Sequence, residues 1–280
     1  MQTIRVRSWS GFSNALKKVH QAYGIYRRNF QDGSSFERSI PILYRGQANA
    51  RWDLLTTLER KTEVEFDVLS YVEVATRTIN ELESFTGQRW KLPVYPEFYL
   101  EIKTSQDSFK VHIPVSIYSY LVYLRHHGYP SPLLDWTDSP YIAAYFAYIN
   151  SGNENPAVYC YIERPNLAKG GVGGEPKITL TGRFVSTHKR HFAQKASYTI
   201  STRWDYATQR HKFCRHELVF NDIYDTQDVL IKIQLPAKER LTALRSLSEF
   251  NIDHFTLFQS EDALVKALEI KNFDLREPDV

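Results

Sequence analysis

Apolar residues recur every three or four positions in several stretches of the chain, which is the spacing of an amphipathic helix. The pattern predicts helices at residues 12–23, 63–85, 117–124, 236–250 and 260–270. Another helix is predicted after Ser139. This residue offers an N-cap hydroxyl, and Pro140 fits the first helical position before the apolar run YIAAYFAYI.

Shorter apolar runs predict strands at residues 40–45, 157–163, 217–221, 229–235 and 255–258. These strands and helices do not alternate in the regular order of a parallel α/β fold. We therefore expect an α+β fold in which helices flank a mixed, mostly antiparallel sheet. The chain shows no internal repeat and no obvious linker, so we expect one domain over residues 1–280, with a helical insertion at about residues 60–115.

The composition is that of a folded protein, with 42% hydrophobic and 24% charged residues. The net charge of +3, from 35 Lys and Arg against 32 Asp and Glu, is too small to predict nucleic-acid binding by itself. A local basic stretch at residues 183–215 is either a solvated surface or a docking site for a polyanion or a nucleotide phosphate.

The two cysteines, Cys160 and Cys214, form neither a disulfide framework nor a zinc pattern. Cys160 lies in the apolar run AVYCYIE, so we expect a buried free thiol. The first residues lack the apolar segment of a signal peptide, and the longest nearly apolar stretch, residues 141–149, is too short to span a bilayer. We therefore expect a cytoplasmic protein without a membrane segment.

The motif Tyr44-Arg45-Gly46-Gln47 places an arginine where a buried strand enters a glycine turn. A guanidinium anchored in this way directs a planar set of donors toward an anion, although a structural ion pair is the simpler alternative. We treat Arg45 as a candidate catalytic residue, and Tyr44 and Gln47 as candidate substrate-binding residues.

Residues 126–140 bring imidazole, carboxylate, hydroxyl and indole groups together between two predicted helices. Adjacent histidines do not share a helix face, so His126 and His127 are not expected to bind one metal ion, and we predict no metal site. One interpretation is that His127 and Asp135 act as the acid and base of a hydrolase or nuclease.

Trp136, Thr137 and Ser139 continue this segment. An indole among polar neighbours is often a stacking platform, which makes Trp136 a candidate ligand contact. Asp135, Thr137 and Ser139 are also candidate substrate-binding residues, although the same residue types serve as turn and cap residues.

Two later residues carry weaker signals. Gln194 follows the basic run at 189–191, and Glu217 precedes apolar residues of a predicted strand. The signal at Gln194 is weak by itself, and a carboxylate at the strand position of Glu217 is usually solvated. Neither residue therefore predicts a site without further support.

The motif YRGQ at residues 44–47 and the segment HHGYPSPLLDWTDSPYIAAYFA at residues 126–147 together resemble the FRG domain, a family defined by a Phe/Tyr-Arg-Gly motif. Arg190 and Gln194 ahead of Tyr198, and the segment 231–268, also resemble this family. The resemblance covers nearly the whole chain apart from the helical insertion.

A more distant resemblance is to ADP-ribosyltransferases, and it implies a split sheet of their type with NAD as the substrate. In those enzymes an arginine grips NAD, a hydroxyl orders the nicotinamide ribose, an aromatic ring stacks on nicotinamide, and a late glutamate stabilises the oxocarbenium-like transition state. The resemblance assigns these roles, in that order, to Arg45, to Thr137 or Ser139, to Tyr141 or Trp136, and to Glu217, with Gln194 as an alternative ribose ligand.

These observations lead to three hypotheses. The first is an NAD-using enzyme, either ADP-ribosyltransferase-like or an NAD glycohydrolase, acting as a bacterial toxin or phage-defence effector on protein or nucleic acid. The second is a non-catalytic module that senses a nucleotide or mediates an interaction through the same pocket. The third is the hydrolase or nuclease that uses Asp135 and His127.

Overall fold

A computed structural model describes residues 1–31, 34–92, 97–105, 111, 113–167, 169, 173–181, 189–221 and 228–276 of the protein. Its strands are β1 (Gln2–Arg5), β2 (Ile25–Asn29), β3 (Ser35–Ser39), β4 (Ile42–Gln47), β5 (Leu134–Thr137), β6 (Ala157–Ile162), β7 (Lys177–Leu180), β8 (Ala196–Asp205), β9 (Arg210–Phe213) and β10 (Val229–Gln234). Its helices are α1 (Trp9–Tyr23), α2 (Thr57–Lys61), α3 (Val68–Thr76), α4 (Ile79–Thr86), α5 (Glu97–Ser105), α6 (Val115–His126), α7 (Pro140–Ile149), α8 (Lys189–Ala193), α9 (Arg240–Glu249), α10 (His254–Phe258) and α11 (Glu261–Glu269). Short 3-10 helices cover His216–Asn221 and Ala237–Glu239, and a π-helical turn covers Ile270–Asp274.

One large sheet contains eight strands of the described chain, in the order β1-β10-β6-β4-β5-β8-β7, with β9 paired to β8. β1 and β10 run parallel, and the other pairs of this sheet are antiparallel. β2 and β3 form a separate antiparallel hairpin. The predicted α+β class with a mixed, mostly antiparallel sheet is therefore confirmed.

The two halves of the sheet meet at a single pair of residues. β4 and β6 pair along their full lengths, and β5 pairs along its full length with the first four residues of β8. Between β4 and β5, however, the register contains only the pair Tyr44 and Thr137. The two strands therefore separate beyond this pair, which leaves Arg45 and Asp135 beside a gap in the sheet.

Helices cover the face of the sheet that carries Tyr44. α1, α7 and α9 pack there in an apolar cluster that includes Phe12 and Leu247. Across the gap, Tyr198 of β8 points to the same face because side chains alternate along a strand, and it joins a second cluster with Leu121 of α6.

The opposite face of the sheet holds a third apolar cluster. Leu43, Trp136 and Tyr161 project into it, and Val219 of the 3-10 helix at His216–Asn221 packs against them. Side chains at alternate positions of β4 and β5 are thus divided between two separate layers.

α7 lies unusually close to β4. A Cβ atom placed on Gly46 would lie 1.9 Å from the carbonyl oxygen of Ala143 and 2.6 Å from the nitrogen of Ala147, so only glycine fits. The predicted start of α7 is confirmed, since the Ser139 Oγ accepts a hydrogen bond from the nitrogen of Ile142. The motif around Gly46 and the cap at Ser139 therefore fix the helix against the end of β4.

Two predicted strands are helical. Residues 217–221 belong to a 3-10 helix, and residues 255–258 belong to α10. α10 begins at a capping box in which Asp253 accepts from the nitrogen of Thr256 and the Thr256 hydroxyl accepts from the nitrogen of Asp253. Apolar runs this short do not separate strand from helix by periodicity, and the local caps decided the outcome.

The long helix predicted at residues 63–85 is also wrong, because it is divided into α3 and α4. α3 begins after Asp67, whose side chain accepts a hydrogen bond from the nitrogen of Ser70. The Thr78 hydroxyl donates to the carbonyl oxygen of Ala75 and contacts the Tyr120 hydroxyl, at the point where the two helices meet. Hydroxyl side chains that bond to nearby backbone in this way compete with a continuous helix.

Cys160 and Cys214 are free, and Cys160 is fully buried in β6, as predicted. Burial raises the pKa of the Cys160 thiol. Within the described ranges, none of the helices combines the length and apolar character needed to cross a bilayer.

Candidate functional site

A cavity of about 480 Å³ opens where β4 and β5 separate. The ends of these two strands form part of its wall, together with residues from α2, α6, α7, α8, β8 and α10 and from the segment after β4. Among the strand-end side chains, that of Asp135 is 43% exposed, whereas Gln47 and Thr137 are buried.

Arg45 lies in the wall of this cavity. Its Nη1 donates to the carbonyl oxygen of Asp135 at 2.9 Å, whereas its buried Nε has no acceptor in the described part of the chain. Burial lowers the pKa of Arg45 to about 10; the Asp135 carboxylate opposes this shift, and the charges of Arg125 and Arg60 add to it. The guanidinium therefore stays protonated at neutral pH while lacking a full set of partners.

Arg125 and Asp135 form a bidentate ion pair in the same wall. Nε and Nη2 of Arg125 each donate to one carboxylate oxygen of Asp135, and Nη1 donates to the Thr57 hydroxyl at 2.8 Å. The Arg125 side chain is only 8% exposed, while that of Asp135 is 43% exposed. Burial alone would raise the pKa of Asp135, but the charge and hydrogen bonds of Arg125, together with Arg45, hold it below its usual value.

Two further arginines reach the cavity. Arg60 lies in the last turn of α2 and is exposed. Arg190 of α8 places its guanidinium 5.5 Å from the ring centroid of Phe258 and donates from Nε to the carbonyl oxygen of that residue. With histidine counted as neutral, the lining residues carry four arginine charges and one carboxylate, Asp135, so the wall has a formal charge of +3.

A histidine and a tyrosine also line the cavity. The Tyr198 hydroxyl lies 2.8 Å from Nε2 of His126 and 3.2 Å from Nδ1 of His191, which is buried behind it. Trp52 also lines the cavity and leaves 55% of its surface exposed. The wall therefore combines cations with a flat apolar surface.

Three polar residues predicted from the sequence border the cavity and are tied to its wall. Gln47 donates to the carbonyl oxygen of Asp53, but its own side-chain oxygen is buried without a partner among the described residues. The Thr137 hydroxyl donates to the carbonyl oxygen of Gln194 at 2.7 Å, and the Gln194 amide donates to the carbonyl oxygen of Leu257. These bonds join β5, α8 and α10 around the opening.

Most of the residues that the sequence singled out meet at this cavity. The lining includes Tyr44, Arg45, Gln47, Asp135, Trp136, Thr137 and Gln194. His127, Ser139, Tyr141 and Glu217 do not line it. The first group shares the strand ends beside the gap, and the second group lies on other surfaces.

Each residue of the second group has another role. His127 is exposed at the end of α6, with its ring 4.4 Å from that of Tyr123, so the histidine that reaches the cavity is His126. Ser139 caps α7, and Tyr141 packs its ring against Trp9. The predicted acid–base pair of His127 and Asp135 is therefore not assembled in this cavity.

Glu217 and Trp136 also differ from their predicted roles. Glu217 belongs to a 3-10 helix, where its carboxylate accepts a hydrogen bond from the nitrogen of Leu54 at 3.2 Å. Trp136 borders the cavity but is only 3% exposed, because its ring packs against Tyr161 and its Nε1 donates to the Thr199 hydroxyl. Neither residue offers a free surface to a ligand in the cavity.

Trp52, Arg60 and Arg125 also line the cavity, although their sequence context was not recognised as that of site residues. A capping box at Thr56 and Glu59 starts α2, and this local signal could have placed Arg60 on a short helix next to the YRGQ motif. For Trp52 and Arg125 the sequence offered no comparable signal, because only tertiary packing brings them to the gap.

The basic stretch at residues 183–215 is largely neutralised where the structure describes it. Arg203 pairs with Glu65, Arg210 with Asp67, and Lys212 with Asp205. Residues 183–188 of this stretch lie outside the described residues. Of the arginines and lysines in the described part of the stretch, Arg190 is the one that lines the cavity.

A comparison with protein families identifies the segment that builds much of this site. Residues 41–155 match the FRG domain. This segment is therefore similar to the FRG domain. The matched segment supplies Arg45, Arg60, Arg125 and Asp135, whereas Arg190 comes from the chain beyond it. No curated protein and no solved structure gave a match to the chain.

Proposed function

We propose that the cavity binds a nucleotide through its phosphate groups, as a sensing or binding module. The observation that carries this proposal is the set of four arginines with one carboxylate around an opening of about 480 Å³. That volume is within the range of roughly 300–1,000 Å³ usual for small-molecule sites. NAD is among the nucleotides to be tested, since the resemblance to ADP-ribosyltransferases implies it.

Phosphate is the ligand group that best satisfies these side chains. The planar donors of a guanidinium match phosphate oxygens in a bidentate manner, and such charge-assisted hydrogen bonds are among the strongest in proteins. Nη1 of Arg45 donates to the carbonyl oxygen of Asp135, and the side chain lines the cavity, where its guanidinium would donate to a phosphate oxygen. Removal of the charge from water also strengthens its attraction to an anion.

Equilibrium dialysis with AMP, ADP, ATP and NAD tests this proposal. We expect at least one of them to bind the full chain, and we expect Arg60→Gln to weaken that binding about tenfold, the loss of one charge-assisted contact. Lys61→Gln is the matched control, because Lys61 lies next to Arg60 in α2 but does not line the cavity. Absence of binding by all four nucleotides would contradict the proposal, and so would an equal loss in both variants.

A second candidate function is NAD cleavage by an ADP-ribosyltransferase-like enzyme or an NAD glycohydrolase, which would suit a toxin or phage-defence effector with protein or nucleic acid as acceptor. It is favoured by the Asp135 carboxylate, which is 43% exposed beside the cavity and has a lowered pKa. In such a reaction the bond between ribose C1′ and nicotinamide breaks, and its electron pair leaves with nicotinamide. A fixed negative charge stabilises the positive charge that develops on the ribose, and water or the acceptor then bonds to C1′.

Nicotinamide release from NAD tests this second candidate. We expect release by the unmodified chain, its loss in Asp135→Asn, and its retention in Glu217→Gln, because Glu217 does not line the cavity. Loss of release in Glu217→Gln alone would return the stabilising role to that glutamate. No release from NAD, with or without a cell lysate as the source of acceptors, would leave binding as the function.

A further inference from the structure

The charge of the cavity wall is poorly balanced within the protein. Asp135 is the one acidic residue of the lining, and both of its carboxylate oxygens already accept hydrogen bonds from Arg125. Among the lining residues, no second carboxylate is present for Arg45 or Arg60. A ligand with several negative charges would therefore balance this wall better than a neutral or singly charged one.

Arg45, Arg60 and Arg125 carry like charges in the wall of the same cavity. Both Arg60 and Arg125 lower the pKa of Arg45, the direction expected when like charges face each other in a partly closed space. Arg60 belongs to α2, Arg125 to α6 and Arg45 to β4, so three different elements contribute a guanidinium group to the lining. An oligophosphate placed among them would relieve this repulsion at more than one point.

Trp52 provides a different kind of surface in the same cavity. It lies in the segment between β4 and α2, and its indole is 55% exposed although large aromatic side chains are usually buried. Its backbone oxygen is tied to the hydroxyl of Tyr159, which anchors the segment. An anchored and exposed indole is suited to stack against the flat face of a base.

From these features we infer that the ligand is a nucleoside diphosphate or triphosphate, with its phosphate chain among Arg45, Arg60 and Arg125 and its base against Trp52. This inference rests on the proposed nucleotide binding. A terminal phosphate adds about 1.5 to 2 negative charges at neutral pH. NAD lacks a terminal phosphate, and its cationic nicotinamide ring offsets part of its diphosphate charge, so it matches the wall less well.

Isothermal titration of the full chain with adenosine, AMP, ADP, ATP, NAD and inorganic pyrophosphate tests the inference. We expect ADP and ATP to bind at least about tenfold more tightly than AMP and NAD, and adenosine to bind most weakly. Arg60→Gln should reduce the difference between ADP and AMP, while Lys61→Gln should preserve it.

The base contact is tested in the same series. Trp52→Ala should weaken the binding of ADP about tenfold, because one stacking contact with the base is lost, and should leave the affinity for pyrophosphate unchanged. Phe85→Ala is the control, because Phe85 is an exposed aromatic residue that does not line the cavity.

Three results would overturn the inference in different ways. Equal affinities for AMP, NAD and ADP would reject the oligophosphate preference while nucleotide binding itself stands. Equal affinities for pyrophosphate and ADP, both unchanged by Trp52→Ala, would show that the site does not recognise the nucleoside part of the ligand. A complete lack of binding by every nucleotide would reject the proposed function as well.

Discussion

Two arginine side chains at the cavity, those of Arg45 and Arg125, are held in position by hydrogen bonds to Asp135. Arg45 is fixed by the carbonyl oxygen of Asp135, and Arg125 by the carboxylate of the same residue. Charged groups are rarely buried without partners, and the buried Nε of Arg45 has no acceptor among the described residues. The functional interpretation at the residue scale rests on this side chain.

His216 lies just behind this wall and leads to a prediction about stability. It is buried, its Nε2 lies 3.0 Å from the Thr199 hydroxyl, and burial, together with the charge of Arg45, lowers its pKa to about 3. In the unfolded chain a histidine titrates near pH 6.5. Between these values the unfolded state binds a proton that the folded state does not, so stability falls as the pH falls, by about 1.4 kcal/mol per pH unit at most.

Urea unfolding at pH 7, 6 and 5 measures this effect, with His216→Gln as the variant that cannot gain the charge. We expect the unfolding free energy of the unmodified chain to fall more steeply than that of the variant, by roughly 1 kcal/mol between pH 6 and pH 5. The comparison uses the slopes, so a general loss of stability in the variant does not affect it. Parallel slopes would show that His216 does not remain neutral in the folded protein.

At the scale of elements, the contact between β4 and α7 positions the YRGQ motif. Gly46→Ala would place a Cβ 1.9 Å from the carbonyl oxygen of Ala143, so strand and helix must move apart. We expect a loss of about 3 kcal/mol in the free energy of unfolding, the upper end for an overpacked core.

Gly152→Ala is the control for this substitution. Its added Cβ meets no other atom within 4 Å, so we expect a change within about 0.5 kcal/mol. Urea denaturation of both variants measures the two effects. Similar stability of the two variants would contradict the close packing of α7 on β4.

The elements also show which parts of the fold the sequence could predict. The sequence predicted α1 from the helical spacing of its apolar residues and α7 from its N-cap at Ser139. It predicted β6 from a short apolar run. β8 was not predicted, because it places the hydroxyl residues Ser197, Thr199 and Ser201 in the interior, where a pattern of apolar positions does not reveal a strand. Such hydroxyls are satisfied by partners distant in sequence, as Thr199 is by the indole of Trp136.

The site itself was predictable only in part for a related reason. Residues of β4 and β5 were recognised by their motifs, but the choice between His126 and His127 depends on the rotation of α6, which places adjacent residues on different faces. Trp136 was expected to stack on a ligand, yet it is only 3% exposed because its ring packs against Tyr161. Orientation of this kind is set by packing and not by residue type.

For the whole molecule, the cavity depends on parts of the chain that are far apart in sequence. The FRG domain match covers residues 41–155, while Arg190, Gln194 and Tyr198 come from a later segment and Phe258 from α10. A fragment limited to the matched residues would therefore lack one side of the wall. The complete chain is the unit in which ligand binding has to be measured.

The most direct test of the central claim is a crystal structure of the full chain with ADP bound. The account predicts phosphate oxygens about 2.7–2.9 Å from the guanidinium nitrogens of Arg45 and Arg60, in the gap between β4 and β5. ADP bound elsewhere on the molecule, with this cavity empty, would contradict the assignment of the cavity as the nucleotide site.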